Sequence, residues 1–140
     1  MNFVSATKPD GKLIAFTGRN DPKGELAIFV MNADGSGRRQ LTNIPVDEGG
    51  AQWPGWSPDG QQLAFEVNSR QQKSSANIWI LDLRTGAARK LAAHTESYAD
   101  ETPSWFPDGR RLTFQSNRTG RMEVWTMKKD GSGARQVTGR

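Results

Sequence analysis

With 140 residues, no cysteine, 24% charged and 34% hydrophobic side chains, the chain suits one globular domain without disulfides or thiolate metal sites. Its net charge of +4, from 19 basic and 15 acidic residues, is dispersed along the sequence and marks no nucleic-acid tract. No apolar run approaches the roughly 20 residues of a membrane span, and "MNFVSATKPDGK" lacks the basic start and apolar stretch of a secretory signal.

In chain order, the first predicted element is a short strand, "NFVSAT". A Pro9-Asp10-Gly11 turn and a strand carrying Ile14 and Phe16 follow. Proline presets φ for the first turn position, aspartate bonds its own backbone and glycine takes φ > 0, so this is hairpin chemistry. An apolar run, "LAIFVM", comes next, then a second turn, "NADGSG", and a short strand, "RRQLT". The same order then repeats. Pro58-Asp59-Gly60 leads to Leu63 and Phe65, "NIWILDL", "LRTG" and "ARKLA". Pro107-Asp108-Gly109 leads to Leu112 and Phe114, "MEVWTM", "KKDGSG" and "ARQVT". The three prolines stand 49 residues apart, and a Pro-x-Trp precedes the second and third turns, at Pro54–Trp56 and Pro103–Trp105.

Each unit therefore predicts four antiparallel strands. The second alternates, with Leu63, Phe65 and Val67 on one face and Gln62 and Glu66 on the other. The third does not alternate, so it is expected to be buried on both faces. A four-stranded meander covered on each side by its neighbours is a propeller blade. The expected fold is all-β, a single domain over 1–140 with blades at roughly 2–43, 51–92 and 101–138.

The run "PGWSPDGQQLAF…NIWILDL…ARKLA" resembles the repeat of TolB-like β-propellers, a repeat also found beside prolyl-oligopeptidase-type hydrolases and in oligogalacturonate-lyase-like proteins. The resemblance covers almost the whole chain and implies a propeller, not an activity. TolB-like relatives are often periplasmic. Blade one departs from the pattern. Ser5 and Thr7 stand where Pro54 and Trp56 stand, so its inner strand is expected to be short.

Three blades make an open arc, because propellers close with about 4–8. A second copy would complete six, the number in the propeller it resembles, with blade one packed on blade three of the partner. The alternative is a piece of a longer TolB-like propeller.

Sites of chemistry are sparse. "GWSPDG" lacks the second glycine of a nucleophile elbow, since Asp59 stands there, and Ser57 reads as a turn serine. "NADGSG" lacks the spaced carboxylates of a calcium loop. A single histidine, His94, excludes a His-rich metal site like that of related lyases. No catalytic residue, metal or cofactor is expected. The recurring Phe29, Trp79, Trp125, Trp56 and Trp105 read as core. Trp53 and Tyr98 fall outside the repeat, near the blade-to-blade loops, and suit a binding role.

The turns between strands one and two and between three and four share one end and are short. The other end collects long, variable loops, where function concentrates. Its charges are sorted: Arg19, Lys23, Arg70, Lys73, Arg118 and Arg121 in the strand two–three loops, and Asp47, Glu48, Glu96, Asp100 and Glu101, with His94, between blades. One reading pairs them between neighbouring blades; the other makes them a rim that grips a protein or peptide at the channel mouth. The preferred function is a non-enzymatic binding scaffold closed by homodimerisation. A sugar-acid lyase or hydrolase, with His94, Glu96, Asp100 and Glu101 from two copies converging, is the enzymatic alternative. Nucleic acid is disfavoured: the basic Arg110, Arg111, Lys128, Lys129 and Arg135 lie among core aromatics.

Overall fold

The computed structural model describes residues 4–45, 47–91 and 97–139. It contains three four-stranded antiparallel sheets, consecutive in the chain, and among the described residues no helix. The first sheet is β1 (Ser5–Thr7), β2 (Leu13–Gly18), β3 (Ala27–Asn32) and β4 (Arg39–Gln40). The second is β5 (Glu48–Trp56), β6 (Gln62–Ser69), β7 (Ala76–Asp82) and β8 (Ala88–Leu91). The third is β9 (Asp100–Trp105), β10 (Arg111–Ser116), β11 (Glu123–Lys128) and β12 (Arg135–Gln136). The order inside each sheet follows the chain, as in an up-and-down blade. Among the described residues β1 has three residues against nine in β5 and six in β9, in keeping with the loss of the Pro-x-Trp signature.

The Pro-Asp-Gly turns form for the expected reasons. Gly60 has φ +71°. One Asp59 carboxylate oxygen accepts from the Gln61 N–H at 3.0 Å and from the Ser57 hydroxyl. Asp10 and Asp108 accept from the residue two further on at 2.9 Å. Gly60→Val forces a β-branched residue into this conformation and is expected to cost about 1–3 kcal/mol in urea unfolding. The exposed pair Arg70–Glu25 provides the contrast: Arg70→Ala should cost less than about 1 kcal/mol.

The core lies between blades. Ala15, Ile28 and Val30 of the first sheet pack with Leu63, Phe65 and Val67 of the second. Ala64, Ile78, Ile80 and Leu91 of the second pack with Leu112, Phe114 and Met127 of the third. β7 is buried at six of its seven positions, because both its faces are covered. β11 is half open, with Val124 36% exposed where Ile28 and Ile78, at the same register position, are at most 1% exposed.

A second seam element links the inner strands. The Trp56 indole N–H donates to the Ala6 carbonyl at 2.9 Å, and the Trp105 indole to the Gly55 carbonyl at 3.1 Å. Donors and acceptors are both 49 residues apart. The Pro-x-Trp signature is thus more than core packing: each indole ties its blade to the one before.

Candidate functional site

The loops sort between two ends as the strand order dictates. At one end the turns of the second and third sheets meet: Ser57, Pro58 and Asp59 share a hollow of about 270 Å³ with Asp108, Arg110 and Lys129. At the other, Glu25, Asn43, Pro45, Glu48 and Arg70 line a cleft of about 320 Å³ between the first two sheets. Beside it, Asp47, Ser69, Gln72, Asn77 and Lys90 line a polar hollow of about 220 Å³.

Several charges expected in blade-to-blade loops stand instead in inner strands. Glu48 opens β5, and Asp100 and Glu101 open β9. Trp53 lies inside β5, not in a loop. The strands run further than the hydrophobic pattern suggests because each carries a bulge, at the register shifts between Gln52 and Gly55 and opposite Thr113–Gln115. Trp53 and Thr102 occupy equivalent places in these bulges, with φ of 57° and 49°. Trp53 is therefore part of the repeat. A bulky aromatic at positive φ is a rare backbone state, and this one is 41% exposed.

Among the described residues, two of the three charge pairs named below close within a blade. Arg70–Glu25 joins the loops of two blades, and the Arg70 Nε–H also donates to the Glu48 carbonyl at 3.2 Å. Lys90–Glu48 stays within the second sheet. Arg118 donates to both carboxylate oxygens of Asp100, at 2.8 and 2.9 Å, within the third. Its guanidinium also lies over Trp125 at 4.6 Å and Tyr98 at 4.9 Å. Asp100 is 2% exposed, so this pair braces the end of the blade from inside. The Arg19 guanidinium donates to the Pro22 carbonyl at 3.0 Å, closing its own loop. Asp47 and Arg121 are exposed, and Glu101 is half-buried. His94 and Glu96 lie outside the described residues.

One residue near this end was not among the expected site residues. Glu66 is 3% exposed, at the seam between the second and third sheets. One carboxylate oxygen accepts from the Gln52 amide at 2.8 Å; the other accepts from the backbone N–H of Thr102, in the next blade's bulge, at 2.8 Å. Burial, with a smaller push from Glu101, raises its pKa to about 7 against these two donors. Alternation places Glu66 opposite Leu63 and Phe65, but that face is covered by the third blade. A carboxylate within a strand whose two faces are both covered is the sequence signal for such a group.

Among the described residues no three histidine, cysteine or acidic side chains gather as metal ligands, and no helix is long and apolar enough to cross a membrane.

Comparison with known proteins places this architecture. The family model described as the TolB beta propeller domain matches residues 47–140. An uncharacterized protein of Agrobacterium fabrum is 34% identical over 93% of this chain and 41% of its own length. The Tol-Pal system protein TolB of Rhizorhabdus wittichii is 40% identical over 60 residues, 43% of this chain and 12% of its own. A solved structure named as a TolB from Agrobacterium tumefaciens superposes with a TM-score of 0.80 at 31% identity, over 97% of this chain and 46% of that one. An oligogalacturonate lyase in complex with manganese shares the fold alone, with a TM-score of 0.66 at 17% identity over 90% of this chain and 33% of that one. The chain spans less than half the length of these relatives.

Proposed function

Because the chain belongs to the TolB beta propeller family, we propose that it is a non-enzymatic scaffold that binds a protein or peptide at its long-loop end, its ring completed by a second copy. The observation that carries the binding reading is Trp53. It is held at positive φ in an inner-strand bulge, 41% exposed, next to Gln52, which bonds the seam carboxylate Glu66. An exposed aromatic on a rigid strand offers contact area at small entropic cost. The long-loop end also carries exposed Asp47 and Arg121, and half-buried Glu101 stands at the start of β9, polar groups that suit a rim. The name of the Rhizorhabdus relative, a protein of the Tol-Pal system, fits a role among other proteins. Closure by a second copy rests on the two open faces of the arc: Val124 is bared on the third blade, and Ile14 and Phe16 are half-buried on the first.

Two measurements test this together. Light scattering at micromolar concentration should give a mass of twice 15.5 kDa. A peptide library panned on the protein should yield binders whose Kd rises about tenfold or more on Trp53→Ala, the loss typical of an anchor residue. Binders indifferent to Trp53 but lost on substitution of Asp108 or Arg110 would move the site to the short-turn end and overturn the assignment.

A further inference from the structure

Each inner-strand bulge joins a residue at positive φ to a proline: Trp53 to Pro54, and Thr102 to Pro103. Proline carries no N–H, so the bulge offers one backbone donor, that of Trp53 or Thr102. At the seam between the second and third blades Glu66 takes that donor. One of its oxygens accepts from the Thr102 N–H and the other from the Gln52 amide, each at 2.8 Å. Gln52 stands directly before Trp53, so one buried carboxyl group reaches a bulge in each of two blades. The first seam is built differently. In register the Glu66 position is taken there by Thr17, whose hydroxyl is buried without a hydrogen-bond partner. Thr17 does not clasp the Trp53 bulge from the first blade, and the link to it runs through Gln52.

Three strands pack against β6: β5, β7 and β9. On β5, Glu48 is paired with Lys90; on β7, Asp82 lies at the short-turn end with Arg84; on β9, Asp100 is held by Arg118. That leaves Glu101 of β9, whose charge adds to the effect of burial in raising the pKa of Glu66 to about 7. The two protonation states of Glu66 bond differently. The carboxylate accepts from both donors, but its charge then lies in a seam that excludes water. The neutral acid has a hydrogen to give. It keeps the Thr102 N–H on one oxygen and donates from the other to Oε1 of Gln52, the amide having turned over.

We infer that Glu66 is a proton-operated clasp: as the neutral acid it closes the seam and fixes the Thr102 and Trp53 bulges, and as the carboxylate it draws water into the seam and releases them. The consequence for binding rests on the reading that Trp53 anchors a partner. That partner binds the protonated form more tightly, and by linkage its arrival favours uptake of a proton.

Proton–carbon NMR spectra of the full chain between pH 5 and pH 8 test the clasp. They follow the Thr102 methyl and the Trp53 ring, whose carbon-bound hydrogens do not exchange with water. Both should titrate with one midpoint. In Glu66→Gln, whose amide imitates the neutral acid, both should stay at their pH 5 positions throughout. In Gln52→Leu the Thr102 methyl should still titrate and the Trp53 ring should not. A Trp53 ring that is static in the unaltered chain, or that titrates alike in Glu66→Gln, would overturn the inference, and so would a Thr102 methyl that does not titrate. Peptides that depend on Trp53 test the consequence. Their Kd should be about threefold to tenfold higher at pH 8 than at pH 5 for the unaltered chain, and independent of pH for Glu66→Gln. Equal pH dependence in both proteins would remove proton control of binding. If no peptide depends on Trp53, the binding reading falls, while the titration still decides the clasp.

Discussion

Raising the pH from about 4.5 to about 7 is expected to lower the stability of this protein by about 3 kcal/mol, and replacing Glu66 by glutamine should abolish that loss. The sign follows from where the proton sits. Glu66 titrates near 4.5 in the unfolded chain and near 7 in the folded one. Between these values the folded protein keeps a proton that the unfolded chain has released. The Glu66 contribution to stability is therefore greatest below the lower value, falls through the window and levels off above the upper one. The cause is removal of the carboxylate from water at the seam, which outweighs the two hydrogen bonds it accepts. In Glu66→Gln the side-chain amide keeps an acceptor for the Thr102 N–H and carries no charge, so at pH 8 the variant should be the more stable protein. Urea unfolding at pH 5 and pH 8 reads the difference. Equal pH dependence in both proteins would show that Glu66 ionises freely in the fold. Below pH 4 the trend reverses, because hydrogen bonds from Lys12 to Asp10, Ser36 to Asp34, Ser57 to Asp59, Arg84 to Asp82 and Ser132 to Asp130 hold those carboxyls below their ordinary values.

Asp100→Ala is expected to be the most damaging single substitution among the charged residues, costing about 3 kcal/mol. Arg118 would keep its place over Trp125 and Tyr98, largely shielded, with its 2.8 and 2.9 Å partners gone. An uncompensated, partly buried cation is what makes removal of one partner costly. Asp100→Asn should cost less, because the amide oxygen still accepts one bond. Thermal unfolding followed by tryptophan fluorescence, which reports on Trp125, measures both. A loss for Asp100→Ala no larger than that for Arg70→Ala would mean that the pair is solvent-screened and does not brace the blade. The contrast with Arg70 is one of burial: the Arg70–Glu25 pair is half-exposed on both sides, whereas the Asp100 side chain is 3% exposed.

The blades were legible in the sequence because their signals are local. Pro-Asp-Gly sets its own turn geometry, and Gly60 takes positive φ where that turn requires it. The non-alternating "NIWILDL" is buried on both faces in β7, as its pattern implies. Local signals were less informative at strand ends and for charged groups. Hydrophobic alternation stops at the bulges, so Glu48, Trp53, Asp100 and Glu101 looked like loop residues although they lie in β5 and β9. Charge sorting along the chain suggested pairing between blades. Which carboxylate faces which guanidinium depends on side-chain direction at the loop end. Of the pairs Arg70–Glu25, Lys90–Glu48 and Arg118–Asp100 there, the last two close within a blade.

The sequence by itself determined the repeat, the four-strand unit, the turns and the split between a short-turn end and a long-loop end, since each follows from periodicity and turn chemistry within about 50 residues. Only the tertiary structure decided what happens between blades. It turned Trp56 and Trp105 into seam donors, buried Glu66 against the Thr102 backbone and left Val124 exposed. The physical reason is that a seam contact joins residues 36 to 50 positions apart, and whether a polar group there is solvated or buried depends on the blade that covers it, which no local pattern encodes.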